Sequence, residues 1–260
     1  MSPLNSLQDL KFSQILDMSQ SKGAQAMMLE VQSMITKQFD DQMRDAAEKL
    51  EFLQNLTKKY RENINKVYEF QTQNQNTSRK DGKVYYEAGF AEMAELFGAI
   101  TTYDYNLETK EFTEKPLEFN DSGDKHTVDD EGDVSVTDGK TSTQEWAAHF
   151  HRGAQIKDKE EAKEFADQLN GDDGELPFYF GYTNNSDEDG MPKFAFFSDQ
   201  IDKMLEQMEN ALSDVEMEAD GISLGLNDLS AQRKAALEGL QELVRKIASS
   251  HVYALEKGGD

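Results

Sequence analysis

The chain has 260 residues, 37% of them hydrophobic and 30% charged, and its 51 acidic against 27 basic side chains leave a formal net charge of −24. So much negative charge repels nucleic acid and anionic membrane alike, which excludes both as expected partners and favours a basic protein or a chaperone. The absence of cysteine excludes disulfides, thiolate metal sites and cysteine nucleophiles, and the low apolar content suits a long thin buried seam better than a deep globular core.

Residues 1–22 are rich in Ser, Gln and Asn and read as a flexible segment. They lack the basic end, apolar stretch and cleavage site of an export signal. No apolar run in the chain approaches the roughly 18 to 20 residues that a membrane-spanning helix requires, so insertion into a membrane is not expected.

Residues 23–80 form the second segment. From about Gly23 to Gln73 there is no proline, and apolar residues recur in steps of three and four, the signature of a coiled-coil helix. Its intramolecular seam is Met43, Leu50, Leu53, Tyr60, Ile64 and Val67, in a series that begins at Phe39 and has Thr57 as its polar member. Upstream, Met28, Val31 and Ile35 continue the stripe with a four-step offset, a stutter that relaxes the supercoil locally. The polar run from Gln71 to Arg79 ends the helix.

Residues 81–197 are an acidic α/β insert. Residues 102–192 alone hold 24 acidic and 8 basic side chains, a balance of −16. Tyr86 to Ile100 reads as a short helix with Phe90, Met93, Leu96 and Phe97 on one face. The two runs flanking Leu107 to Lys110 read as a β-hairpin. Residues 122–142 read as a mobile acidic loop with at most a brief strand at Val134 to Val136. A helix is expected to open at Ser142 or Thr143 and another to end at Asn170 and Gly171, followed by a second hairpin around residues 184–190. Trp146 and Phe150 read as the anchor of a small core.

Residues 198–260 carry the second long pattern, opened by Ser198 as N-cap. Its apolar series from Ile201 to Ile247 is broken by Arg233. The stretch Ile222, Leu226, Leu229, Leu237, Leu240, Leu243 and Ile247 is the candidate self-assembly seam. Two such seams, each on the order of 70 Å long, cannot both remain in water, so an antiparallel coiled-coil hairpin is expected. Gly221, Gly225 and Gly239 inside this helix each cost about 1 kcal/mol relative to alanine and imply a bend, a close crossing against the first helix, a hinge or a notch for another subunit.

Sites for chemistry are sparse. His149 and His151, two apart, serve a shared metal poorly on either a helix or a strand, although a pocket beside them and Trp146 would be the place to look for an enzyme. Asn185 to Gly190 matches the first half of a calcium-binding loop, but Phe196 stands where the bidentate glutamate belongs and Pro192 interrupts, so an acidic hairpin tip is expected. Asp129, Asp130, Glu131 and Asp133 offer at most loose calcium binding. Phosphate-binding glycine loop, serine elbow and dinucleotide fingerprint are all absent from the sequence. The expectation is a non-enzyme without cofactor or bound metal.

The last helix carries the closest likeness to a known family. Ile222, Ser223, Leu226, Asn227, Leu229, Arg233, Leu237, Leu240, Ile247 and Ser249 look like the heptad of the C-terminal helix in filament subunits. With a helix near the start, an α/β insert and a returning final helix, the chain resembles the extracellular tip and filament proteins of type III secretion systems. The likeness covers about 50 residues closely and the first helix loosely, and the insert is larger and more acidic than a filament subunit's. It implies secretion without a cleaved signal, a cytosolic chaperone, contact with other appendage subunits, and homo-oligomeric assembly at the outer end of a needle. A cysteine-free chain also suits passage through a narrow conduit. The other expectation is a cytosolic acidic coiled-coil adaptor or chaperone-like protein that binds a basic client.

Overall fold

The computed structural model describes residues 24–77, 84–119, 124–128, 134–138, 141–170, 181–186 and 190–257. Residues 1–22, read above as a flexible segment, lie outside this set. The described residues form five helices and ten strands: α1 (Ala24–Asn74), β1 (Gln75–Thr77), β2 (Val84–Ala88), α2 (Phe90–Ala99), β3 (Thr101–Asn106), β4 (Glu111–Pro116), β5 (Glu118–Phe119), β6 (Asp124–Val128), β7 (Val134–Asp138), β8 (Thr141–Ser142), α3 (Thr143–Gly153), α4 (Lys159–Asn170), β9 (Gly181–Ser186), β10 (Pro192–Phe197) and α5 (Ser198–Lys257). The fold is mainly helical with an α+β insert, and α1 packs on α5. At 51 and 60 residues these helices are about 77 and 90 Å long.

Two compact units divide the chain, one comprising residues 1–53 with 218–260 and the other residues 54–217. The division cuts through both long helices rather than falling at their ends. In the second unit, α1 and α5 do not pair alone. Val67 and Phe70 of α1 join Ile201 and Met208 of α5, Met93 and Phe97 of α2, Trp146 and Phe150 of α3, Phe165 and Leu169 of α4, and Phe194 of β10 in one hydrophobic core. The insert thus supplies a globular core where the composition favoured only a seam. The chain's aromatic residues are concentrated in the insert: Phe97 stacks on Phe150 at 5.5 Å and Phe194 meets Phe150 edge-on at 5.1 Å. Trp146, at 0% exposure, and Phe150, at 1%, are the expected anchors.

Local signals explain the helix starts. Ser142 accepts the Glu145 N–H while the Glu145 carboxylate accepts the Ser142 N–H, a complete capping box for α3. Asp158 does the same work for α4 by accepting the N–H groups of Glu160 and Glu161 at 3.0 and 3.1 Å. Thr143, fully buried, donates through Oγ1 to the Ile100 carbonyl at 2.8 Å and accepts the Leu117 N–H at 3.1 Å, which ties α3 to the segments around β3 and β5.

Three expectations are corrected. Residues 84–88 form a strand, not the start of a helix. Val84, Tyr85 and Tyr86 are β-formers, Tyr86 and Ala88 alternate inward, and β2 pairs antiparallel with both β1 and β10 in a sheet of order β1-β2-β10-β9. Helix α1 stops at Asn74 and the chain runs directly into β1, so the polar run after Gln71 is part helix and part strand. The acidic stretch expected as a loop carries a full antiparallel pair, with His126 opposite Val136 in the register of β6 and β7; residues 129–133 between these strands lie outside the described set. Both expected hairpins are present, β3 with β4 and β9 with β10. Gly190, which precedes β10, has φ +80°, a conformation that suits glycine.

Buried phenols predict a pH response. Tyr60 accepts the Tyr103 N–H at 2.8 Å, its ring meets that of Tyr103 edge-on at 4.9 Å, and Asn63 donates to the Tyr103 hydroxyl at 2.9 Å. Burial raises the pKa of Tyr60, Tyr86 and Tyr103 above 10.0. The folded chain therefore holds these protons at a pH where the unfolded chain has released them, so their contribution is complete below pH 10.0 and is lost as pH climbs through the raised values. Urea titrations across this range should show stability falling on the alkaline side, and Tyr60→Phe should flatten that fall while lowering stability near neutrality by about 1 kcal/mol for the lost hydrogen bond.

Candidate functional site

The two long helices carry the residues singled out for pairing and assembly. Along α1, Leu53 (0% exposed), Tyr60 (1%), Ile64 (6%) and Val67 (0%) are buried, whereas Met43 and Leu50 are partly covered. Leu56 and Phe70 are buried as well. Stepping by threes from Leu53 and from Val67 would have found both. On α5, Ile201, Met204, Leu205, Met208 and Val215 are buried.

Polar contacts run in opposite order along the two helices. In the second unit, Arg61 meets Glu216 at 2.7 Å, Tyr68 donates to Glu209 at 2.6 Å, and Gln71 donates to Asp202 at 3.1 Å. Advancing along α1 therefore means retreating along α5. These groups are largely exposed, and such contacts contribute about 0 to 1 kcal/mol each; their value lies in fixing register. The Glu209 carboxylate beside Tyr68 also raises that phenol's pKa.

In the first unit, Arg233, the one break in the apolar series of the last helix, pairs with Asp40 at 3.1 Å. Nearby on each helix, Gln42 Oε1 and Gln232 Oε1 are shut off from solvent with no hydrogen-bond partner among the described residues. A buried, unsatisfied amide oxygen costs about 1–3 kcal/mol. This polar stretch is therefore weaker than the apolar stretches of the same helix.

The residues expected to carry self-assembly differ from those expected to pair within the chain in how well they are covered. Ile222, Leu226, Leu229, Leu237 and Leu240 are only partly buried, and Leu243 is 50% exposed. The side chain of Ile247 is outside the described set. Leu224 and Met217 are more exposed still, at 67% and 64%. A Cβ built on Gly221, Gly225 or Gly239 meets nothing within 4 Å among the described residues, so a close crossing with the described part of α1 does not explain these glycines.

The remaining candidates are scattered. His149 is buried with its ring edge-on to Trp146 at 5.7 Å, while His151, two positions on, is exposed; the helix turns them apart. Among the described residues no group of three or more His, Asp or Glu side chains is placed to hold a metal, and residues 187–189 of the calcium-loop-like string are not among them. In the second unit a cleft of about 550 Å³ is lined by Glu69, Glu92 and Glu95 with Lys66, Phe70 and Leu96. Among the described residues no helix is long and apolar enough to cross a membrane. Comparison with known proteins returns no matching family model, no matching curated protein and no matching solved structure.

Proposed function

We propose that this chain is a non-enzymatic, secreted structural subunit, in which α1 and α5 form an antiparallel coiled-coil hairpin and the C-terminal part of α5 drives self-assembly at the tip or filament of a type III secretion appendage. One observation carries the reading. From Ile201 to Val215 the apolar series of α5 is buried apart from Leu212, which is partly covered, yet from Ile222 to Leu243 the same periodicity continues with no described member fully covered. A stripe left half in water over some twenty residues gains by meeting another helix, at about 25 cal/mol for each Å² of apolar surface removed from water. The heptad likeness supplies the kind of assembly. Electron microscopy of the concentrated full chain tests it: rods or rings are the expected result, and particles that remain monomers at every concentration overturn it.

A second reading is an acidic cytosolic adaptor for a basic client. The cleft lined by Glu69, Glu92 and Glu95 favours it, because carboxylates around an apolar floor suit lysine and arginine side chains. Binding of a polylysine probe should then weaken steeply as salt rises, since exposed charges are screened beyond about 10 Å at 0.1 M. Salt-independent binding, or none, removes this reading.

A further inference from the structure

Among the described residues, burial on α5 stops with the second unit. Ile201, Met204, Leu205, Met208 and Val215 are buried there, and the hydrophobic core described above lies wholly in that unit. In the first unit α1 still buries Met28, Ile35 and Phe39 at 8, 4 and 4% exposure, yet no described side chain of α5 from Glu218 to Lys246 is buried. So α5 lies on α1 here with little of its own surface removed from water, and apolar burial is the main force that could hold it.

The contact between the two helices is also interrupted. One antiparallel register runs from Asp40 opposite Arg233 to Met28 and Arg245, an equal number of residues further out on each helix, which line a common cleft of about 440 Å³ with Gln32 and Gln241. Within this register Asp40 and Gln42 of α1 and Gln232 and Arg233 of α5 place a polar layer in the apolar stripe. The ion pair does little for stability, because its side chains are 53% and 37% exposed. Gln42 Oε1, Gln232 Oε1 and Arg233 Nε are shut off from solvent with no hydrogen-bond partner among the described residues. Water would satisfy all three if the helices parted, so the layer favours separation.

The same stretch of α5 is a poor helix when alone. Gly221, Gly225 and Gly239 are exposed, and a Cβ on any of them meets nothing within 4 Å among the described residues. They weaken the helix without improving its packing. Some two dozen residues carrying three glycines are not expected to stay helical in water once their partner is lost.

From these observations we infer that the α5 stretch from Ile222 to Arg245 is a releasable arm, which leaves α1 and melts in one step while the second unit stays folded. Release bares Met28, Ile35 and Phe39 of α1, a surface that the closed molecule hides. The device belongs to a single molecule, so it is independent of whether copies of the chain assemble.

The chain contains no cysteine, and a single introduced thiol therefore reports opening. Ile35→Cys is shielded while the arm is seated; Val67→Cys, at a position of 0% exposure in the second unit, reports the opening of that unit instead. In a solution dilute enough to be monomeric, Ile35→Cys should react with a thiol reagent on the order of 100-fold faster than Val67→Cys, at a rate unchanged by protein concentration. Adding Gln42→Leu with Gln232→Leu should slow the Ile35→Cys reaction by about 10-fold or more and leave Val67→Cys unchanged. Gly225→Ala and Gly239→Ala should each slow it about five-fold, the share of helix stability that alanine restores. Hydrogen exchange on the unsubstituted chain checks that the thiol has not itself loosened the packing: amides from Ile222 to Leu240 should exchange on the order of 100-fold faster than those from Leu205 to Val215. Equal labelling of the two thiols, or equal protection of the two stretches, overturns the inference. So does an unchanged rate after Gln42→Leu with Gln232→Leu, and so does an unchanged rate after both glycine replacements, since an arm that left as an intact helix would gain nothing from alanine.

Discussion

Replacing Gly153 by alanine should destabilise the second unit by about 3 kcal/mol, near the upper end of what overpacking usually costs. The expected sign for glycine to alanine in a helix is the opposite, a gain of up to about 1 kcal/mol. Geometry reverses it. A Cβ at Gly153 lies 2.2 Å from Cδ1 and 2.3 Å from Cε1 of Phe90, and the Phe90 ring cannot retreat. It is itself buried, with Phe194 edge-on at 4.9 Å, Phe165 at 6.0 Å and Phe150 at 6.4 Å between ring centroids. Urea unfolding followed by the fluorescence of Trp146, the only tryptophan in the chain, measures the effect where it arises. Gly98→Ala is the control, because nothing lies within 4 Å of its Cβ and the ordinary gain should appear. Adding Phe90→Leu to Gly153→Ala should recover part of the loss, since a smaller side chain frees the space that the methyl requires. An unchanged midpoint for Gly153→Ala would show that α2 and α3 do not cross where this packing puts them.

The long helices and the cap of α3 were legible because their causes are local. A step of three and four over some fifty residues has one secondary-structure solution, and Ser142 and Glu145 stand where cap chemistry requires them, whereas Ser198, expected as an N-cap, is already the first residue of α5. Pairings between distant segments were not legible. Gln75 to Thr77 is too short and polar to read as a strand, and it becomes one because Tyr86, Tyr85 and Val84 stand opposite it. Tyr86 itself falls in the expected helix because the face of Phe90, Met93, Leu96 and Phe97 follows it directly; the strand is set by β10, more than a hundred residues later. The same holds for Leu56 and Thr57. The periodic series passed through Thr57, but the core places Leu56 at 0% exposure and leaves Thr57 partly covered. Arg233 stood out as an exception in the sequence, and only the approach of Asp40 on α1 explains it.

Leu229→Asp combined with Leu240→Asp should abolish assembly while leaving the second unit's unfolding midpoint unchanged. Both leucines sit in the first unit and are partly exposed, so each carboxylate retains access to water in the monomer and costs little there. In an assembled subunit the same positions would meet another helix, and a carboxylate enclosed by leucine side chains loses its hydration without gaining a partner, a penalty of several kcal/mol for each. Two such penalties, repeated at every contact of a filament, exceed what a helix-to-helix interface supplies. Leu53→Asp provides the contrast. Leu53 is at 0% exposure in the monomer, so that substitution should unfold the surrounding helices whether or not the chain assembles. Sedimentation velocity separates the two: the double variant should remain a folded monomer at concentrations where the unsubstituted chain forms large species. If the double variant assembles normally, the half-covered stripe of α5 is not the surface through which copies join, and the reading of this chain as an appendage subunit fails with it.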